Sequence, residues 1–243
     1  MTVNDATRPG GPQVVVHVVR HGLVDNPRGI LYGRLPGYHL SELGRAMAER
    51  VARHLRDTTG ERIGYLAASP LERAAETAEP IARELGLPVV TDARLIEPAN
   101  AFEGTKFGVG DGALKRPANW PKVRNPFTPS WGEPYLSIAH RMVGAVYGAV
   151  AALGGEAAVG SADTSRPDVV RPREAVLVSH QLPIWMLRRF LEGKHLWHNP
   201  AKRQCALASV TSLTFTGGVF TALAYHEPAA DLVPSAAAGE TGA

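Results

Sequence analysis

Apolar residues recur along the chain in two periods, and the switches between them outline the fold. Val14-Val15-Val16-His17-Val18-Val19 is an apolar run broken once, closing in Arg20-His21-Gly22. It reads as a central strand over 14–19, buried on both faces of an α/β sheet. Leu40, Leu43, Met47, Val51 and Leu55 then recur every three or four residues, the stripe of an amphipathic helix. Ser41 is its expected N-cap, with Glu42 favourably placed for the helix dipole. A second strand is expected over 63–68. Ser69-Pro70-Leu71-Glu72 follows with the spacing of a capping box and proline at the first helical position. That predicts a helix capped by Ser69 and running to Leu85, stopped by Gly86. Residues 89–96 suggest an interrupted strand ending at Glu97, 134–153 a helix, and 175–179 a strand ending at His180. A helix over 183–191 comes next. The runs 206–215 and 219–225 around Gly217-Gly218 suggest an antiparallel hairpin at a sheet edge.

Three stretches lack such periodicity. Residues 1–12 and 228–243 are expected to be disordered ends, and 154–173 a flexible surface excursion. Residues 98–132 are different in kind. They carry five prolines, five glycines and two tryptophans, besides Lys106, Lys115, Arg116, Lys122 and Arg124. An aperiodic segment of that length inside a compact domain suggests a lid or binding loop, whose basic residues suit either an anionic substrate or a solvated surface. The expected organisation is one α/β domain over 13–227 with this insertion.

Composition narrows the reading. The chain has 243 residues, enough for one large domain, and a formal charge of +3 with no dense Lys/Arg block, so nucleic acid is not an expected partner. Cys205 is the single cysteine, which precludes an intramolecular disulfide and makes a reducing, cytoplasmic compartment the simpler expectation. The first twelve residues lack a signal peptide's apolar centre, and no run of about 18 apolar residues suggests a membrane span.

The strand ends carry the candidate chemistry. In open α/β sheets ligands bind beyond the carboxyl ends of the strands, where this pattern places Arg20, His21, Arg73, Glu97 and His180. Arginine grips an oxyanion bidentately. A neutral histidine can attack phosphorus, and a carboxyl can protonate a leaving oxygen and then deprotonate water. The set fits covalent phosphoryl transfer in which protein cations stand where a metal would otherwise serve. Glu192, His195 and His198 are spaced like a weak metal motif, but no second ligand cluster supports them, and no metal is expected. His17 reads as a hydrogen-bonded core residue, His39, His54 and His140 as surface positions, and the four tryptophans as core or lid packing.

Taken in order, Val19-Arg20-His21-Gly22, Ser69-Pro70-Leu71-Glu72-Arg73-Ala74-Ala75-Glu76-Thr77-Ala78, Leu95-Ile96-Glu97 with Phe102-Glu103-Gly104, and Val178-Ser179-His180 resemble the histidine phosphatase superfamily, in its branch of cofactor-dependent phosphoglycerate mutases and small phosphatases. The resemblance spans about residues 14–226. It implies a three-layer α/β/α sandwich whose mostly parallel sheet has an antiparallel edge strand. It also implies phosphohistidine formation at His21, a phosphate pocket of Arg20, Arg73 and His180, and Glu97 as acid and base. By the same likeness Asn26 would contact phosphate, Gln181 would add an amide near it, and Glu133 of Gly132-Glu133-Pro134 would line the pocket. The chain departs from the family pattern at Leu23, at the shortened spacing to Asn26, at Pro98 and at Gln181; none of these removes a core catalytic group. The leading expectation is a metal-independent phosphomonoesterase acting on a small phosphorylated metabolite. A phosphoglycerate mutase is the alternative, and only that reading calls for 2,3-bisphosphoglycerate priming. A non-catalytic phosphate-binding module is the third. Homo-oligomerisation is left open.

Overall fold

The computed structural model describes residues 12–106, 120, 125, 129–159 and 173–233, with backbone alone for 154–159. The expectations for 1–11, for Lys115, Arg116, Lys122 and Arg124, and for 160–172 and 234–243 lie outside the described residues.

Six strands form one sheet: β1 (Gln13–Arg20), β2 (Ile63–Ala68), β3 (Val90–Thr91), β4 (Glu174–Ser179), β5 (Val210–Thr216) and β6 (Val219–His226), in the order β3-β2-β4-β1-β5-β6. The valine run of β1 lies between β4, to which it is parallel, and β5, to which it is antiparallel. The predicted hairpin forms the β6 edge. Among the described residues four α-helices cover the sheet: α1 (Glu42–Thr59), α2 (Glu72–Leu85), α3 (Tyr135–Val159) and α4 (Gln181–Leu191).

The two-residue period of the strands divides the core. Val16, Val18, Ala175 and Leu177 face α3 and α4, meeting Ile138, Met142, Val146, Ile184 and Met186. Val19, Val176 and Val178 face the opposite way, against Met47, Val51 and Leu55 of α1 and Ala74, Ala78 and Ile81 of α2. The result is the three-layer sandwich. Because α1 follows β1 on one face and α4 follows β4 on the other, the chain parts in opposite directions at neighbouring parallel strands. A crevice opens there, at the carboxyl ends of β1 and β4.

Several local expectations change. Ser41 caps α1 as predicted, accepting from the Gly44 N–H. Ser69 does not cap α2: the helix begins at Glu72 after extended Leu71, with no side-chain cap. Its hydroxyl is engaged by His180 and the Leu71 N–H instead. The strand expected over 89–96 shrinks to Val90–Thr91, because Asp92 accepts from Arg94 N–H and opens a short 3₁₀ turn over Ala93–Leu95. Helix α3 continues to Val159 into the expected excursion. By length and composition, Tyr135–Leu153 also reaches the apolarity of a membrane span, contrary to expectation, while its Ile138, Met142 and Val146 pack on the sheet. The chain stays on the domain as far as Leu232 and Val233, which pack beside buried Ala229. Trp185 is buried, but Trp120 and Trp197 are exposed.

The described ends of the 98–132 insertion are pinned together. Ala101 donates to Trp131 O, Glu133 donates to Ala99 O, and Asn100 bridges Gly132. A Cβ on Gly132 would come within 2.6 Å of Ala99 O, so the join depends on glycine. The segment thus leaves and rejoins the domain beside Glu97.

Just before β5, Ala208 has a φ of 54°, the one positive value at a described non-glycine residue. Its N–H donates to His21 O, and Arg20 N–H donates to Ser209 O. The turn therefore holds the end of β1 at the cost of left-handed backbone. Ala208→Gly relieves that strain but gives up a fully buried methyl, so unfolding free energy is expected to change by less than about 1 kcal/mol in urea titration; a larger loss would show that the turn is unstrained.

Candidate active site

Parallel pairing sets the site. His21 N–H donates to Ser179 O, and Ser69 N–H donates to Val178 O, so the ends of β1, β2 and β4 are laced side by side. That brings His21, Ser69 and His180 together. Arg73 comes from the first turn of α2, and Glu97 lies just beyond the Ala93–Leu95 turn. Ser179 Oγ donates to Leu95 O at 2.7 Å, tying the Glu97 segment to β4. Arg20, His21, Arg73, Glu97 and His180 are all buried, none more than 4% exposed.

The tautomer of His21 follows from its partner. His21 Nδ1 is 2.8 Å from Gly22 O, and a carbonyl can only accept, so the proton is on Nδ1 and the lone pair on Nε2. Burial and the fields of Arg73 and Arg20 push the imidazole well below its usual pKa, keeping it neutral. Close packing makes this geometry possible. A Cβ on Gly22 would lie 2.4 Å from Gly44 O, and one on Gly44 would lie 2.0 Å from Leu23 O, so the His21 loop rests directly on the start of α1.

Among the described residues six buried side-chain nitrogens have no hydrogen-bond partner, and four of them meet here: Arg20 Nε, Arg73 Nε and Nη1, and His180 Nδ1. An unmet buried donor costs roughly 1–3 kcal/mol, so their concentration at one strand edge calls for an anionic ligand. Each guanidinium is steered by a backbone carbonyl instead of a carboxylate. Arg20 donates to Cys205 O at 2.6 Å, and Arg73 to Gly33 O at 2.7 Å while lying 4.8 Å from the Tyr32 ring centre. Their charges stay uncompensated.

His180 stands with its ring centre 5.2 Å from that of His21. Its Nε2 is 2.8 Å from Ser69 Oγ, which itself accepts from Leu71 N–H. With the hydroxyl proton turned to Nε2, Nδ1–H faces the site, 3.7 Å from Glu97 Oε2. Burial, Arg73 and His21 together hold His180 neutral. Glu97 behaves oppositely. Burial lifts its carboxyl to about 7 in spite of the nearby cations Arg73 and Arg203. It can therefore hold a proton near neutrality.

Three candidates find other work. The Asn26 amide both donates to Ile30 O and accepts from Ile30 N–H, bracing its own loop; the shortened loop spends the side chain locally. Glu133 is ion-paired with Arg141 through both oxygens and lies 3.5 Å from Arg34, whose Nε donates to Glu97 O. It braces the backbone of Glu97. Gln181 donates weakly to Cys205 O at 3.5 Å and accepts from Arg203. Ser69, Tyr32, Arg203 and the Cys205 carbonyl went unseen as site elements in the sequence, where only the Ser69 motif left a signal, and that one was read as a cap.

His17, as expected, is a core residue bonded to Ser212 and Glu174. His39 is exposed but paired with Glu76. Among the described residues no group of three or more His, Cys, Asp or Glu could hold a metal.

With this geometry in place, comparison with known proteins is decisive. The profile of the histidine phosphatase superfamily (branch 1) matches residues 16–228. The chain belongs to that family. It is 53% identical to the uncharacterised protein Rv0525 of Mycobacterium tuberculosis over 219 residues, covering 88% of this chain and 96% of that protein. Among solved structures it is similar to the mycobacterial glucosyl-3-phosphoglycerate phosphatase Rv2419c, with a TM-score of 0.63 and 27% identity, covering 88% of this chain and 97% of that one. A shorter likeness, 41% over 81 residues, links 33% of the chain to 39% of the 2,3-bisphosphoglycerate-dependent phosphoglycerate mutase of Thermoplasma acidophilum. This histidine phosphatase family member is an enzyme of the phosphatase kind.

The raised carboxyl of Glu97 links the site to stability. A folded-state pKa of about 7, above the ordinary 4.5, means that folding loses stability as pH rises from 4.5 through 7. Glu97→Gln removes that loss. Its stability relative to wild type is expected to grow by roughly 2–4 kcal/mol between pH 4 and 8, read by chemical denaturation. A difference independent of pH would show that Glu97 does not carry the proton.

Proposed function

We propose that the protein is a metal-independent phosphomonoesterase acting through a phosphohistidine at His21 on a small phosphorylated metabolite. The observation that carries this reading is the His21 ring: Nδ1–H is committed to Gly22 O, and Nε2 is free beside two uncompensated guanidiniums. In the first step Nε2 attacks phosphorus in line, and the bond from phosphorus to the ester oxygen breaks. Glu97 gives its proton to the departing alcohol. Arg20 Nε, Arg73 Nε and Nη1, and His180 Nδ1–H donate to the equatorial oxygens. In the second step water attacks phosphorus and yields its proton to the Glu97 carboxylate. The phosphorus–nitrogen bond breaks, returning the lone pair to Nε2 and releasing inorganic phosphate. The two guanidiniums supply the positive charge that a metal ion would bring to such a transfer.

The likeness to the Thermoplasma acidophilum mutase favours a second reading, in which the phosphoryl group returns to a substrate hydroxyl and 2,3-bisphosphoglycerate primes His21. The two readings share every catalytic group described above and differ only in the final acceptor.

Wild type is expected to hydrolyse p-nitrophenyl phosphate in excess EDTA, and His21→Ala to release no nitrophenol. Equal hydrolysis by the two would remove His21 from the mechanism. Failure of both, with interconversion of 3- and 2-phosphoglycerate after priming, would favour the mutase. With an alkyl phosphate, Glu97→Gln is expected to slow turnover by about 10²–10⁴-fold, and unchanged turnover would exclude the assigned acid. The two half-reactions should also respond oppositely to pH. Phosphoryl transfer from an alkyl ester needs protonated Glu97 and should decline above about 7, whereas phosphohistidine hydrolysis needs the carboxylate and should decline below it. Single-turnover quench measurements separate the two limbs.

A further inference from the structure

Among the described residues a guanidinium with no carboxylate partner lies just beyond the phosphoryl pocket. Arg203, in the loop before β5, is clamped by two neutral acceptors. Its Nε donates to His198 Nε2 at 2.9 Å, and its Nη1 donates to Gln181 Oε1 at 3.2 Å. His198 Nδ1 is 2.8 Å from Leu196 O, which puts its proton there and leaves Nε2 to accept. Burial pushes His198 down to about 4, so it remains uncharged at neutral pH. Among the described residues no carboxylate forms an ion pair with Arg203, in contrast to Arg141, which Glu133 neutralises. The guanidinium is thus fixed in plane and direction while its charge is left open.

Its place ties it to the site. Gln181 follows His180 and shares the Cys205 carbonyl with Arg20, so a single side chain separates Arg203 from a phosphate-pocket arginine. Its field also reaches Glu97. Charge counting then decides the question. A transferring phosphoryl group carries about two negative charges, which Arg20 and Arg73 balance, while His21 and His180 are neutral and Glu97 enters protonated. Arg34 and Arg141 share the Glu133 carboxylate, whereas among the described residues Arg203 has no carboxylate ion-paired with it. A half-buried, oriented and uncompensated guanidinium suits one further anionic group.

We infer that Arg203 is a specificity residue that recognises a second anionic group on the substrate, a carboxylate or a further phosphate beside the phosphoryl group transferred. This deepens the phosphatase reading and rests on it for the identity of the pocket. A different role, stabilising the Glu97 carboxylate, would act alike on every ester and would move the pH profile without altering preference among ligands.

The test measures binding without turnover. By calorimetry, 3-phosphoglycerate and 1,3-propanediol bisphosphate are each compared with glycerol 3-phosphate, on His21→Ala and on His21→Ala/Arg203→Gln. At least one doubly anionic ligand is expected to bind His21→Ala about 10-fold or more tightly than glycerol 3-phosphate, and the tighter of the two identifies the group recognised. The ratio should fall below about 3 with Arg203→Gln and be largely kept by Arg203→Lys, which retains the charge. Equal affinities on His21→Ala, or a preference that survives Arg203→Gln, would overturn the inference. Hydrolysis of p-nitrophenyl phosphate by wild type is followed in parallel. Preference without hydrolysis would sink the phosphatase reading and leave the subsite standing; hydrolysis without preference would do the reverse.

Discussion

Two buried guanidiniums without carboxylate partners are the constraint on which this structure turns. Arg20 and Arg73 would ordinarily be expensive to remove from water. Here they are held by single backbone carbonyls, and their remaining donors are left for a ligand. Burial, with the same unbalanced field, keeps His21 and His180 neutral, and burial keeps the Glu97 proton in place. His21, Glu97 and the two guanidiniums are therefore one electrostatic arrangement. A carboxylate placed within reach of either arginine would neutralise the cradle.

The sheet makes that arrangement rigid. Strands β1, β2 and β4 are parallel, and past the irregularity at Ile63–Tyr65 their pairing runs unbroken to the site, so their ends align without help from long loops. Hydrogen bonds from His21 and Ser69 to β4 carbonyls then set the separation of the reacting groups. Outer contacts repeat the strategy. Glu133 and Arg34 fasten the backbone of Glu97, and the Cys205 carbonyl serves Arg20 and Gln181 together.

Much of this was legible in the sequence because burial and period coincide. The valine run had to lie between other strands, and Arg20, His21 and His180 had to emerge at its edge. The misreadings have a common cause. Ser69 and Glu72 have capping-box spacing, but tertiary contact with His180 outweighed local propensity. The bonds of Asn26 to Ile30 and of Gln181 to Cys205 O and Arg203 left no signal in the sequence either. Arg203 itself sits in an aperiodic loop, where pattern carries no information. What a polar side chain touches is decided by residues far away in sequence, and periodicity reports only which face is buried.

The central position of β1 carries a consequence for assembly. Its neighbours on either side, β4 and β5, come from the distant part of the chain, with Arg20 opposite Ser179 and Val19 opposite Val210. The strand that carries His21 is made early but is completed on both sides only after β5 has been synthesised. Until then its valines lack one or both neighbouring strands, and the arginine at its end lacks the Cys205 carbonyl that holds it. Such long-range closure slows folding and exposes apolar strand edges in the interim. The emerging chain therefore acquires its catalytic centre in one late step, when the returning hairpin closes over the first strand.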